Sequence, residues 1–324
     1  YVGEFAPLNF RELYCNLYFG RGGQLAKLYM FLNYWKRVAE KRGGKKDWAG
    51  TLTFHRRSLK KDPWESSDHR KKMIPLRLVD SRGRIEDHDT SCLHVNFASR
   101  LMGGGVIGKG NVQEEIRFSI NPELCVCRLF TPALEDHEVM FMYGAERFSN
   151  YRGYGGQLEF AGDYVESSHE RDSRARLHSY IVAMDSLFFT DSVSQFDKQH
   201  ILRELRKSLA GFLPDLVLDE EDRFSDIATG NWGCGTSGGD KELKFVIQWL
   251  AASAADRKLC YYTVGDVKLA NKIQALSGLA ESKGMTIAFL LELVLEFQKS
   301  QDFLPAKPEL LDYLQESLEA STLV

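Results

Sequence analysis

The sequence predicts an α/β fold with helices on both faces of a sheet, and three observations carry that expectation. Short runs rich in β-formers alternate with amphipathic helical patterns. A β–loop–α–β unit occupies residues 227–264. Two glycine-rich stretches, 103–110 and 233–239, each stand between a strand-like run and a helical one. The length of 324 residues fits one main domain with an appended piece, since single hydrophobic cores stop growing near roughly 250–300 residues. Apolar residues at 44% and charged residues at 27% give a globular balance, far from disordered compositions.

Leu13 and Leu17, then Leu25, Leu28, Phe31, Leu32, Trp35 and Val38, recur at helical spacing, and Gly20, Gly22 and Gly23 break them into two helices. Residues 1–48 thus read as a helical accessory region. Strands are expected at 51–54, 74–79, 93–97, 138–143 and 158–160. Asn121, Pro122 and Glu123 have the order of a helix start, with an N-cap side chain, a proline at the first position and an acid in the first turn. Residues 174–187 and 198–209 look helical, and 213–225, acidic and proline-containing, reads as a surface loop. After the second glycine loop, Leu243, Val246, Ile247, Leu250, Ala251 and Ala254 form a helical stripe, and 259–264 reads as the returning strand.

The net charge of −3 excludes the bulk positive field of most nonspecific nucleic-acid binders. Local basic groups at Lys41, Arg42, Lys45, Lys46 and at Lys60, Lys61, Arg70, Lys71, Lys72 read as solvated surface. The six cysteines form no CxxC pair and the eight histidines no HxxxH or HExxH spacing, which argues against a zinc site or a disulfide framework. Reduced cysteines suggest the nucleus or cytoplasm. The best apolar run, 287–297, carries Glu292 and Glu296 and reads as an amphipathic helix, not a membrane span. A start at Tyr1 without methionine or signal peptide suggests a fragment.

Loop 233–239 runs into a helix whose first amides lack intrahelical partners, a phosphate site in principle. It lacks the GxxxxGK[ST] order and the GxGxxG fingerprint, so neither a nucleoside-triphosphatase nor a dinucleotide dehydrogenase is supported. Gly103, Gly104 and Gly105 permit close approach of backbone to a ligand at an entropic cost. Glu114 and Glu115 follow them. Adjacent carboxylates diverge within a helix or strand and converge only at a segment end, which a glycine loop ahead of a helix provides. Two such groups raise the proton affinity of one partner, the property a general acid needs, and glycosidases employ paired carboxylates.

The run Gly103-Gly104-Gly105-Val-Ile-Gly-Lys-Gly-Asn-Val-Gln113-Glu114-Glu115 resembles the signature of the poly(ADP-ribose) glycohydrolase family. Ile116-Arg117-Phe118, Ile120 to Leu124, Tyr151-Arg-Gly-Tyr154 and Thr229-Gly-Asn231-Trp-Gly-Cys-Gly are similar to that family too, with weaker likeness at Gly50-Thr-Leu-Thr-Phe and Thr263-Val-Gly265-Asp266. The resemblance implies a macrodomain-like three-layer α/β/α sandwich with a mixed sheet, a catalytic domain over 49–324, and hydrolysis of poly(ADP-ribose) to ADP-ribose. It implies Glu115 as the acid that protonates the departing ribose oxygen and then activates water, with Glu114 binding ribose. By position the substrate contacts would be Asn96, Gly103, Gly104, Gly105, Gln113, Tyr151, Tyr154, Asn231 and Val264, with Gly233, Gly235, Thr236, Ser237 and Gly238 around the diphosphate. No metal or organic cofactor, no membrane and no direct DNA binding is implied. The expected partners are the polymer, ADP-ribosylated proteins and the product ADP-ribose.

Three departures from the family pattern stand out. Asn96 and Ser99 replace an aspartate and an asparagine of its animal members, Val264 replaces a ligand-packing phenylalanine, and Ser237 replaces another aromatic. Three functions stay open on the sequence: an active glycohydrolase, a weakened member that binds ADP-ribose or its polymer without efficient turnover, and a hydrolase of small ADP-ribose compounds.

Overall fold

The computed structural model describes residues 4–15, 22–43, 50–59, 61–88, 91–166, 170–215, 217–218, 226–301 and 309–321. Its elements in chain order are α1 (Arg11–Cys15), α2 (Gly22–Gly43), β1 (Thr53–Ser58), β2 (Leu78–Asp80), β3 (Leu93–Ala98), α3 (Gln113–Ile120), β4 (Glu138–Tyr143), β5 (Ser149–Arg152), β6 (Glu159–Asp163), β7 (Tyr180–Asp185), α4 (Lys198–Phe212), β8 (Asp226–Gly230), α5 (Lys241–Ala254), β9 (Lys258–Tyr262), α6 (Val267–Lys283), α7 (Ile287–Gln301) and α8 (Leu310–Ala320). The chain divides into two compact units, Tyr1–Arg56 with Asn96–Glu135 and Met140–Asp185, and Arg57–Val95 with Asp136–Val139 and Ser186–Val324.

In the first unit β4 and β7 pair antiparallel, Met140 opposite Ala183 and Tyr143 opposite Tyr180. The helix expected over 174–187 is replaced here by β7. Its residues Tyr180 to Met184 form one apolar run buried at every position, and a short run buried on both faces has no periodicity to tell strand from helix. Strands β5 and β6 form a separate antiparallel pair. One apolar cluster joins Leu13 of α1, Leu28 and Phe31 of α2, Phe118 of α3, Met140 and Met142 of β4, and Ile181 and Ala183 of β7. Met102, Val106 and Ile107 belong to the same cluster. The glycine loop is therefore pinned by its own apolar side chains, each contributing about 1.5–3 kcal/mol on full burial.

In the second unit parallel strands run in the order β3-β8-β9-β2. Leu93 pairs with Ile227, Ala228 with Cys260, and Leu78 with Cys260. Strand β2 starts at Leu78, later than the expected 74, since Pro75 has no N–H to offer a ladder. Helix α5 joins β8 to β9 and buries Leu243, Phe245, Val246, Ile247, Trp249 and Leu250, so its apolar stripe is nearly continuous round the helix. Asp240 caps it, accepting from Leu243 N at 2.8 Å, and a cap of this kind contributes about 1 kcal/mol. The helix start expected at Asn121 is present as a tighter 3₁₀ helix, Pro122–Leu129. Residues 213–215 and 217–218 have no regular structure, while 216 and 219–225 lie outside the described residues, as do Lys45, Lys46 and Lys60. Among the described residues no helix is long and apolar enough to cross a membrane.

Candidate functional site

Strand β3 ends at Ala98, the glycine loop follows, and α3 begins at Gln113. Gln113 anchors this start: its Oε1 accepts from Phe97 N at 2.7 Å, tying the first helical residue to the strand that precedes the loop. Glu114 and Glu115 then occupy the first turn, where helix-end amides favour negative charge. Glu114 accepts from Ser99 N (2.8 Å), Gly103 N (2.9 Å) and, at 3.3 Å, Asn96 Nδ2. Glu115 accepts from Gly105 N and Val112 N, both at 2.9 Å, the second bond being the return of an N3 glutamate to the start of its own helix. Gly104 holds a positive φ of 46°, and a Cβ there would run into both carboxyl groups. A side chain at this position is thus excluded twice, by conformation and by space.

Burial dominates the electrostatics of Glu114 and pushes its carboxyl up to about 8; the neighbouring charge of Glu115 adds to this, and the amides of Ser99 and Gly103 oppose it. The Asn96 Oδ1 is buried, and no described group bonds it. Asn96, Gly103, Gly104, Gly105, Gln113, Glu114 and Glu115, all proposed from the sequence, thus come together in one hydrogen-bonded constellation. Tyr151 is packed with Ala26, Met30, Ile116, Ile120 and Leu158. Tyr154 is half exposed at the start of a single turn, Gly155–Gln157, which is fastened to the loop by Gly155 N donating to Asn111 O at 3.0 Å.

Two residues of this constellation had no part in the sequence argument. Lys27 of α2, wholly buried, donates to the carbonyl oxygens of Gly105 (3.1 Å), Gly108 (2.9 Å) and Gly110. Arg128 donates through Nη1 to Met102 O (2.8 Å) and Gly104 O (3.0 Å). Burial pulls the Lys27 ammonium down to about 8 against the opposing pull of Glu115. The one available signal for Lys27 is its position: with Gln24, Met30 and Phe31 it lies on the inward stripe of α2, where a lysine is out of place.

The second unit holds the other glycine loop. Asn231 directly follows β8; its Nδ2 donates to Thr263 O and its Oδ1 accepts from Tyr261 OH, both at 3.2 Å. The loop is thereby tied to the turn after β9, where Val264 stands exposed with a positive φ of 51°. A β-branched residue in that region is strained, and strain of this kind clusters at functional sites. Within the loop Cys234 N donates to Asn231 O (3.1 Å), Gly238 N to Gly235 O (3.2 Å) and Gly239 N to Gly233 O (2.9 Å), while Ser237 O accepts from Phe189 N (2.9 Å). The N–H groups of Gly235, Thr236 and Ser237 enter none of these bonds, so three successive donors remain for an anion. The following helix start offers less than its position suggests, because Asp240 already caps it and Glu242 sits in its first turn. Beneath the loop the Lys244 ammonium lies 4.5 Å from the Trp232 ring centroid and is paired with Glu204.

Among the described residues no group of three or more His, Cys, Asp or Glu side chains could hold a metal ion. In comparisons with known proteins, residues 62–271 match the family model described as "Poly (ADP-ribose) glycohydrolase (PARG), Macro domain fold". The chain is 32% identical to "Poly(ADP-ribose) glycohydrolase 1" of Arabidopsis thaliana, over 90% of this chain and 63% of that protein. It is 34% identical to "Poly(ADP-ribose) glycohydrolase 1" of Caenorhabditis elegans, over 76% of this chain and 32% of that protein. The chain therefore spans 63% of the first relative's length and about a third of the second's. A poly(ADP-ribose) glycohydrolase mutant from Deinococcus radiodurans, solved in complex with ADP-ribose, aligns at TM-score 0.39 with 12% identity over 73% of this chain and 94% of that one, too loosely to carry an argument.

Proposed function

Since the chain belongs to the poly(ADP-ribose) glycohydrolase family, with its macro domain fold, we propose that it hydrolyses the ribose–ribose O-glycosidic bonds of poly(ADP-ribose) and releases ADP-ribose. Glu115 protonates the departing ribose oxygen, the ribose left behind passes through an oxocarbenium-like transition state, and the same carboxylate then takes a proton from the attacking water. Glu114 binds ribose hydroxyls, with Asn96, Gly103, Gly104, Gly105 and Gln113 shaping that region. The amides of Gly235, Thr236 and Ser237, with Gly233 and Gly238 giving backbone access, take the diphosphate. Tyr151, Tyr154, Asn231 and Val264 complete the contacts with the nucleoside parts.

The observation that carries this reading is the pair of buried carboxylates, each held by backbone amides of one glycine loop. An exposed acidic helix start would not need such a cradle. One detail favours a variant of the mechanism. The group pushed up to about 8 is Glu114, so at neutral pH its carboxyl holds a proton. A protonated Glu114 can donate a hydrogen bond to a ribose oxygen as well as accept one, so the variant lies in how it binds the sugar.

In this reading residues 1–48 are an accessory region and 49–324 the catalytic domain; the polymer and ADP-ribosylated proteins are the partners, and DNA is not bound directly. The six cysteines, none of them in a disulfide, fit a nuclear or cytoplasmic setting. Incubation with purified polymer and chromatography of the products tests the proposal. Released ADP-ribose supports it, whereas retained polymer bound without loss of length supports a weakened, binding-only member.

A further inference from the structure

The five carbonyl oxygens of Met102, Gly104, Gly105, Gly108 and Gly110 all end on two buried cations, Arg128 and Lys27. The amides between them turn the other way. Because a trans peptide unit points its C=O and its N–H in opposite directions, Arg128 on Met102 O aims Gly103 N–H at Glu114, and Arg128 on Gly104 O aims Gly105 N–H at Glu115. Lys27 fixes the far side of the same loop, and Gln24 of α2 adds a contact to Gly108 O at 3.4 Å. A buried ammonium whose partners are neutral carbonyls is costly to desolvate, so its placement calls for a role beyond stability. From this geometry we infer that Lys27 and Arg128 are positioning residues, a two-cation clamp that sets the orientation of the peptide units holding Glu114 and Glu115. The inference rests on the glycohydrolase reading, and it makes α2 part of the reaction machinery.

The clamp touches no reacting atom, so its loss acts through the carboxylates. A displacement near 1 Å at a reacting group can cost about a hundredfold in rate. The test compares Lys27→Met, Arg128→Lys and, as a control on the same helix with matched thermal stability, Phe31→Leu, whose ring packs on Phe10 and Trp35. Expected for the two clamp variants is a fall in kcat of about 10- to 100-fold with KM and ADP-ribose affinity changed less than about threefold, while Phe31→Leu keeps its kcat. Equal kcat losses in all three would reduce the clamp to ordinary packing. Hydrogen exchange at the Gly103 and Gly105 amides gives a readout independent of activity: exchange accelerates in Arg128→Lys and not in Phe31→Leu. Wild-type protein inert toward polymer removes the catalytic reading alone, and exchange in Arg128→Lys as slow as in wild type removes the clamp alone.

Discussion

Glu114 has three N–H donors around it and still binds a proton near neutral pH, because removal from water outweighs those bonds. This has a consequence for stability. Between 4.5, the ordinary carboxyl value, and about 8, the folded protein holds a proton that the unfolded chain has already released. Stability from this group is complete at lower pH and is lost as pH rises through that window. The loss is on the order of a few kcal/mol, at about 1.4 kcal/mol per unit. Glu114→Gln removes the titration, so its melting temperature relative to wild type should climb by several degrees between pH 5 and pH 8. A constant difference between the two proteins at both pH values would show that Glu114 ionises normally. Asn96 meets this carboxyl through one long 3.3 Å contact. Asn96→Asp is therefore expected to change turnover less than about tenfold, or roughly 1.4 kcal/mol of barrier, in steady-state hydrolysis from pH 5 to 8. An inert wild type revived by that substitution is the contrary result. At this scale the glutamate pair and Gln113 were legible because their neighbours in the chain are also their partners. Lys27 and Arg128 were not, since each reaches loop carbonyls 24 to 83 positions away.

Among the elements, helices with a clear apolar stripe were readable: α4, α5 and α7 stand where the periodicity places them. Helices α6 and α8 were missed. Strand β7 was misread because a continuous apolar run buried on both faces carries no period. The loop after β8 was recognised by its glycines, yet the donors it leaves open are amides of the loop itself and not of α5, whose start Asp240 already occupies. A specific expectation follows for Gly235, where a Cβ would meet no protein atom within 4 Å. Gly235→Val should fold as wild type and lose ADP-ribose affinity by tenfold or more, about 1.4 kcal/mol upward, because the side chain enters the space a diphosphate needs. Isothermal titration decides it; unchanged affinity would mark the loop as an ordinary turn.

For the molecule as a whole, the fold class followed from alternating strands and helices, and the family membership from motifs spread over most of the chain. What no local pattern conveys is how residues from α2 and from the 3₁₀ helix Pro122–Leu129 converge on one glycine loop, because packing decides that. The central claim is that this loop holds Glu114 and Glu115 for glycosidic hydrolysis with Glu115 moving the proton. Product analysis on purified poly(ADP-ribose), run in parallel on wild type and Glu115→Gln with ADP-ribose affinity measured on both, tests it most directly. The account predicts ADP-ribose release by wild type, a loss of about 10²–10⁴ in rate for Glu115→Gln, and affinities within a few-fold of one another. Polymer hydrolysis by Glu115→Gln at the wild-type rate would contradict it.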